Sequence, residues 1–204
     1  ELGRYDEAAV ASQTMVDLYS AIYDSTDSSD LPNTDAWKVR EAFVGKDRDT
    51  KVAAIRGLLN KAKDPLPHEA MRAMLGRAAS LIDPDPKLES DAPELIAAML
   101  AAGYDRAAAR WIGVSRRLDG DDGDRCWALL ALSAPDPRAL EISVARITGF
   151  ISRDKSPGKI RSALLVAGLA GIGRINSNAA ETLSRRFELG VGRQSLWTRM
   201  IDAA

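Results

Sequence analysis

The sequence has few of the residues from which catalytic and metal sites are usually built. Among its 204 residues there is one cysteine, Cys126, and one histidine, His68, and only 5% of the chain is aromatic. A single cysteine excludes an intramolecular disulfide framework. A zinc site would need further nitrogen or sulfur ligands, which the sequence does not supply. We therefore expect no catalytic residue, no metal site and no cofactor.

The chain also lacks an excess of charge and a long apolar run. Its 28 basic and 29 acidic residues give a net charge of -1, so we expect no general attraction for nucleic acid or anionic membranes. The longest nearly apolar stretch covers residues 163–173, well short of the ~20 residues that span a bilayer. We therefore expect neither a nucleic-acid partner nor a membrane span.

Helical periodicity is what the sequence does have. Val52, Ile55 and Leu59 lie on one face of a helix, and similar spacing recurs along most of the chain. Alternating strand patterns bounded by hairpin signals are missing. Start and stop signals place helices at about 5–23, 35–44, 49–62, 67–82, 92–102, 105–118, 123–133, 137–152, 157–173, 177–188 and 193–203. The pattern predicts an all-α chain, arranged as an α-α superhelix or an irregular stack of about ten antiparallel helices.

Prolines mark the strongest internal linker, "DPDPKLESDAP" at residues 83–93. We predict one α-helical domain over residues 1–204, with residues 83–91 as the candidate position of a subdomain boundary. The chain begins at Glu1 without an initiating methionine, so we expect a piece of a longer protein and leave its compartment open. Abundant alanine and a preference for arginine over lysine suit a bacterial protein from a GC-rich genome.

Two short segments share a pattern of glycine, tyrosine, aspartate and paired alanines: "LGRYDEAA" from Leu2 and "AAGYDRAA" from Ala101. Glycine suits the left-handed position that ends a helix, and the aspartate can cap the helix that follows. Both segments are predicted to be corners between helices, with the tyrosine packed across the corner. The small residues Ala167 and Gly171 are predicted to allow a close helix crossing.

These corners resemble those of tetratricopeptide-repeat proteins, whose turns often read Leu-Gly-x-Tyr-Asp-x-Ala. The second copy departs from that pattern because no residue separates Gly103 from Tyr104. No further Gly-x-Tyr corner follows at the family's period of about 34 residues. The resemblance implies stacked helix pairs with an extended concave surface that binds peptides or partner helices.

Acidic clusters carry the main alternative hypothesis, an all-α metal-dependent enzyme. Asp119, Asp121, Asp122 and Asp124 form one cluster, and Asp24, Asp27 and Asp30 form another. Such carboxylates can hold Mg²⁺ or Ca²⁺. However, "DGDDGDRCWALL" has no glutamate at its twelfth position, as an EF-hand loop requires, and helix caps or solvated loops explain the same residues.

The function predicted from the sequence is a non-catalytic helical scaffold domain that mediates protein–protein interaction within a larger bacterial protein. A protein or peptide is the expected partner. The candidate contact residues are Tyr5, Tyr104, Arg110 and Trp111. Arginine beside an aromatic ring can bind acidic groups. A purely structural or oligomerising segment, with self-association of the chain, remains the other alternative.

Overall fold

The computed structural model describes the backbone of residues 2–189 and 191, and side chains from residue 12 onwards within that part. All regular secondary structure there is helical, so the all-α prediction is confirmed. The α-helices are α1 (Leu2–Ser25), α2 (Asp35–Val44), α3 (Arg48–Lys61), α4 (Pro65–Ser80), α5 (Ala92–Ala101), α6 (Asp105–Ala109), α7 (Ile112–Ser115), α8 (Gly120–Ser133), α9 (Val144–Arg153), α10 (Ile160–Gly171) and α11 (Ser177–Phe187). The helix predicted at 193–203 lies outside the described residues.

The chain divides into two compact units, Glu1–Pro135 and Asp136–Ala204. The first unit contains α1 to α8, and the second contains α9 to α11. The candidate boundary at 83–91 therefore lies inside the first unit. Its prolines do interrupt the helices, but Leu88 is only 6% exposed, so the segment is packed onto the unit instead of linking two.

In the first unit, α4 packs against both α1 and α5, while α2 packs on α3 and α5 packs on α8. The helices α4 and α5 approach each other closely at Gly76 in α4. A Cβ atom there would lie 2.3 Å from the Cβ of Ala102 and 2.4 Å from the carbonyl oxygen of Ala98. By contrast, Ala167 and Gly171 are exposed, so the close crossing predicted there does not occur in the described part of the chain. Glycine allows the close α4–α5 packing because it has no side chain.

Side-chain caps explain why several helices begin where they do. The Oγ1 of Thr34 accepts a hydrogen bond from the backbone N–H of Trp37 at 3.2 Å and starts α2. Asp47 accepts from the N–H of Thr50 at 2.8 Å and starts α3. Each cap satisfies an N–H group that has no partner within its helix. The predicted range 35–44 agrees with the observed α2.

Three predicted helices are interrupted, and one of them is 157–173, where a 3₁₀ turn at Pro157–Lys159 precedes α10. The range 105–118 contains α6 and α7, separated at Arg110 and Trp111, where the backbone tightens into bonds between residues three apart. The range 137–152 begins with one 3₁₀ turn, and α9 starts only at Val144, where Ser143 accepts from the N–H of Arg146 at 3.2 Å. Local periodicity missed these breaks, because it reports only which side of a helix is apolar and not where a helix begins or ends.

The two glycine corners have different outcomes. Gly103 has a φ of +76° and follows the end of α5, and the N–H of Tyr104 donates to the carbonyl of Met99 at 2.8 Å. This left-handed helix end was predicted. Asp105, however, is the first residue of α6 and its side chain does not cap the helix. Gly3 lies within α1, so its segment contributes to a helix and not to a turn.

The second unit is built on the corner between α9 and α10. The carboxylate of Asp154 accepts four hydrogen bonds: from the N–H and Oγ of Ser156, at 2.8 and 2.6 Å, and from the N–H and Oγ of Ser162, at 2.9 and 2.6 Å. Burial raises the pKa of Asp154, but the hydrogen bonds from the two serines outweigh it and bring the pKa to about 2. One ionised side chain thus holds the turn and the start of α10 together.

Candidate functional site

A groove on the first unit lies between α1, α2 and α4, with a volume of about 560 Å³. Its walls are Val16, Tyr19, Ser20, Tyr23 and Asp24 of α1, Ala36, Val39, Arg40 and Phe43 of α2, and Met74 of α4. This volume is within the range of typical ligand-binding clefts in proteins. The lining is mainly apolar and aromatic, so the groove suits an apolar group and not a highly charged ligand.

Each wall of the groove is one face of a helix. Val16, Tyr19 and Tyr23 are spaced three and four residues apart in α1, as are the wall residues of α2. Such spacing places side chains on the same side of a helix. These side chains are not fully buried: Val16 is 41% exposed, and both tyrosines are half-buried. The two helices therefore leave apolar surface in the groove that another molecule could cover.

Charges surround the groove unevenly. Asp24 lines it, and Asp27 and Asp30 follow in the exposed segment after α1. The guanidinium of Arg40 lies 5.2 Å from the ring centre of Trp37, a cation–π distance. Three exposed carboxylates thus lie at or beyond the C-terminal end of α1, where the helix dipole is also negative.

Asp35 is a further charge near the groove, and it is already paired. Its two oxygens accept from Lys61 Nζ at 2.7 and 2.6 Å. The pKa of Tyr19 is raised, first by burial and then by the negative charge of Asp35, while Lys61 partly opposes this. Tyr19 therefore stays neutral at physiological pH and offers the groove a ring with a hydroxyl group.

A second cluster of polar side chains is centred on Glu94 of α5. Its carboxylate accepts from Arg72 at 2.8 Å and from Arg125 at 2.7 Å, and His68 Nε2 lies 3.9 Å from it. Burial raises the pKa of Glu94, but the two arginines outweigh this and lower the pKa overall. The pKa of His68 is lowered, mainly by burial and then by Arg72. The cluster is a charge-compensated network that ties α4, α5 and α8 together.

Among the four predicted contact residues, the three whose side chains the structure describes do not form one surface. The side chain of Tyr5 lies outside the described residues. Tyr104 is 36% exposed beside the corner after α5. Arg110 donates to the carbonyl of Ile82 at 3.1 Å and to Asp83 at 3.0 Å, so it anchors the proline-rich segment. Contact of Tyr104 or Arg110 with a partner stays a prediction.

Trp111 requires a correction. It is 0% exposed, so in this conformation it offers no surface to a partner. Its indole Nε1 is buried without a hydrogen-bond partner. The helical pattern placed Trp111 beside Arg110 and suggested a shared surface. The break between α6 and α7 instead directs the large apolar side chain into the core, where its burial is more favourable.

The acidic clusters form no metal centre within the described residues, where no group of three or more His, Cys, Asp or Glu side chains is arranged to hold an ion. Asp121 and Asp122 lie in the first turn of α8, where negative charge stabilises a helix. Asp124 is buried. Burial raises the pKa of Cys126 to about 12, so this thiol is unreactive at neutral pH.

Sequence reasoning did not identify the groove. The signal was present, because Val16, Tyr19 and Tyr23 follow helical spacing, but the same spacing also describes a face that is fully buried. No helix in the described part of the chain is both long and apolar enough to cross a bilayer. Comparison with protein-family models, curated proteins and solved structures finds no match.

Proposed function

We propose that this chain is a non-catalytic helical scaffold domain of a larger bacterial protein, and that its groove binds an amphipathic helix of a partner protein. The observation that carries the proposal is the groove itself: two helix faces converge on about 560 Å³ of mainly apolar space. Binding of this kind needs complementary surface and no reactive side chain. A tetratricopeptide-like stacking of helix pairs would suit the same role and stays part of the proposal.

The form of the groove favours a helix over an extended peptide. Rows of side chains spaced three and four residues apart accept the ridge of another helix. An extended peptide would commonly add to an open strand edge, and no strand occurs in the described residues. A partner helix with apolar side chains at i, i+3, i+4 and i+7 matches the walls in periodicity.

The charge of the groove favours a basic partner helix. Asp24 lines the groove, and Asp27 and Asp30 are exposed in the segment that follows α1. The one basic residue of the described lining is Arg40, which lies over the ring of Trp37, so the three carboxylates outnumber it. Lysine or arginine beside the apolar face of the partner would complement these carboxylates and speed association. The proposed partner is therefore a basic amphipathic helix, and an acidic helix with the same apolar face should bind less well.

A peptide-display library tests this proposal. Each peptide has apolar residues fixed at i, i+3, i+4 and i+7, and its other positions vary freely. Selection on the chain should enrich lysine and arginine. The selected peptides are then titrated against Val16→Arg, which places a charge in the groove, and we expect their affinity to fall at least about tenfold.

Leu18→Arg is the matched control, because Leu18 lies on the same helix, is 54% exposed and does not line the groove. Both variants add one positive charge to α1, so a general electrostatic effect would weaken binding equally. Equal loss in the two variants, or no selected peptide at all, would contradict groove binding. Enrichment of acidic residues would contradict the basic character of the partner.

A further inference from the structure

A second cavity of about 380 Å³ lies between α3 and the start of α5, and it shares no lining residue with the groove. Its apolar lining is formed by Val52, Ile55, Leu59 and Leu95. Each of these four side chains is at most 3% exposed, so together they form a fixed apolar floor. Such a floor can hold a short hydrocarbon chain but gives it no orientation.

Orientation would come from Asp91, which lines the same cavity and is only 7% exposed. Its two carboxylate oxygens accept from Arg56 Nε and from a terminal nitrogen of Arg56, each at 2.7 Å. A buried carboxylate needs such compensation, since an unpaired buried charge is costly. The site therefore already contains a bound cationic group, supplied by the chain itself.

The two members of this ion pair differ in their access to water, because the side chain of Arg56 is 55% exposed and that of Asp91 is 8% exposed. The guanidinium of Arg56 can therefore move from the cavity into water, where its own charge is solvated. The neighbouring Glu94, which also lines the cavity, is compensated separately by Arg72 and Arg125. Displacement of Arg56 would consequently leave Asp91 as the group that attracts a replacement cation.

We propose that this cavity binds a small organic cation, a guanidinium or primary ammonium group on a short aliphatic chain. The cationic head takes the place of Arg56 on Asp91, and the chain lies on the apolar floor. Arg56 then acts as an internal competitor that sets the affinity. The cavity shares no lining residue with the groove, so this proposal does not rest on partner binding there.

Hexylguanidinium and hexylamine are suitable probes, with hexanol and hexanoate as controls of the same chain length. Titrations monitored by two-dimensional amide NMR on the full chain should give saturable shifts near α3 and α5 for the two cations only. Arg56→Ala removes the competitor, and we expect it to tighten cation binding by about tenfold, equivalent to about 1.4 kcal/mol. Asp91→Asn should weaken binding at least as much.

Arg138→Ala is the control, because Arg138 forms an ion pair with Asp136 in the second unit and is 89% exposed. It should leave cation binding unchanged. Weaker binding in Arg56→Ala would overturn the proposal, since Arg56 would then help to hold the ligand. Equal binding of hexanoate would also overturn it, as would cation binding that survives in Asp91→Asn. Because Arg56 is largely exposed, its variant tests the proposal even if Asp91→Asn fails to fold.

Discussion

The two units of this chain differ in sign of charge. Residues 1–135 carry 17 basic and 23 acidic residues, whereas residues 136–204 carry 11 basic and 6 acidic residues. The net charge of -1 for the whole chain is a cancellation of these two excesses. The nearly neutral net charge of the whole chain therefore does not describe the surface that a partner meets. The charge of that surface depends on which unit the partner contacts.

The units also hold their irregular segments by different chemistry. In the first unit, the proline-rich segment is tied to neighbouring helices by arginine–aspartate pairs: Arg48–Asp85, Arg56–Asp91 and Arg110–Asp83. In the second unit, Asp154 accepts four hydrogen bonds from two serines and needs no basic partner among them. High salt should weaken the arginine–aspartate pairs of the first unit, because it screens their charges. Acid should weaken the hydrogen bonds of Asp154 in the second unit, because it protonates the carboxylate.

The largest expected effect concerns the close packing that occurs in the first unit. Gly76→Ala would place a Cβ atom 2.4 Å from the carbonyl oxygen of Ala98, a backbone atom that cannot easily move. We expect the free energy of unfolding to fall by about 3 kcal/mol, as overpacked cores do. Urea unfolding measures the change, and hydrogen exchange should locate it in α4 and α5.

Gly57→Ala is the matched control within the same unit. Gly57 lies in α3, and a Cβ atom there would meet nothing within 4 Å. Alanine should stabilise this helix by about 0.5–1 kcal/mol relative to glycine. A similar loss of stability in both variants would show that close packing at Gly76 is not the cause.

An intermediate effect is expected in the second unit on acidification. The pKa of Asp154 is about 2 in the folded chain, below its ordinary value of 3.8. Its contribution to stability, about 2 kcal/mol, is therefore present above pH 4 and lost as the pH falls towards 2. Hydrogen exchange of α10 amides, measured at pH 5 and pH 2.5, should report the loss.

Asp154→Asn separates this carboxylate from the others that titrate in the same range. The amide keeps one acceptor oxygen but cannot become protonated, so the variant should be less stable at pH 5. The pH dependence of α10 should become shallower by the amount that Asp154 contributes. An unchanged slope in the variant would assign the acid sensitivity to other carboxylates.

The smallest expected effect is the loss of one exposed ion pair in the first unit. Arg110→Ala removes the bonds to Asp83 and to the carbonyl of Ile82, and we expect about 0.5 kcal/mol of destabilisation. The difference in unfolding free energy between the variant and the unmutated chain should shrink at high salt. The reason is that Asp83 is 89% exposed, so salt screens its attraction to Arg110. A difference that does not change with salt would mean that Arg110 acts by packing or by its carbonyl bond.

Local features of the chain could be predicted because the interactions behind them act within a few residues. The helical class follows from periodicity, and the start of α2 follows from a threonine cap three residues from its bonded N–H. Gly103 ends α5 in a left-handed conformation for an equally local reason. Sequence by itself therefore determined the class of the fold, several helix ends and the lack of an intramolecular disulfide.

Only the tertiary structure decided which apolar faces are covered. Trp111 and Tyr23 both follow helical spacing, yet Trp111 is fully buried and Tyr23 lines an open groove. The pairing of Arg56 with Asp91, 35 residues apart, was equally invisible in the sequence. Periodicity defines the apolar side of a helix, but burial depends on a second surface brought there by the rest of the chain. The groove, the cation cavity and the anchored proline-rich segment all depend on that long-range packing.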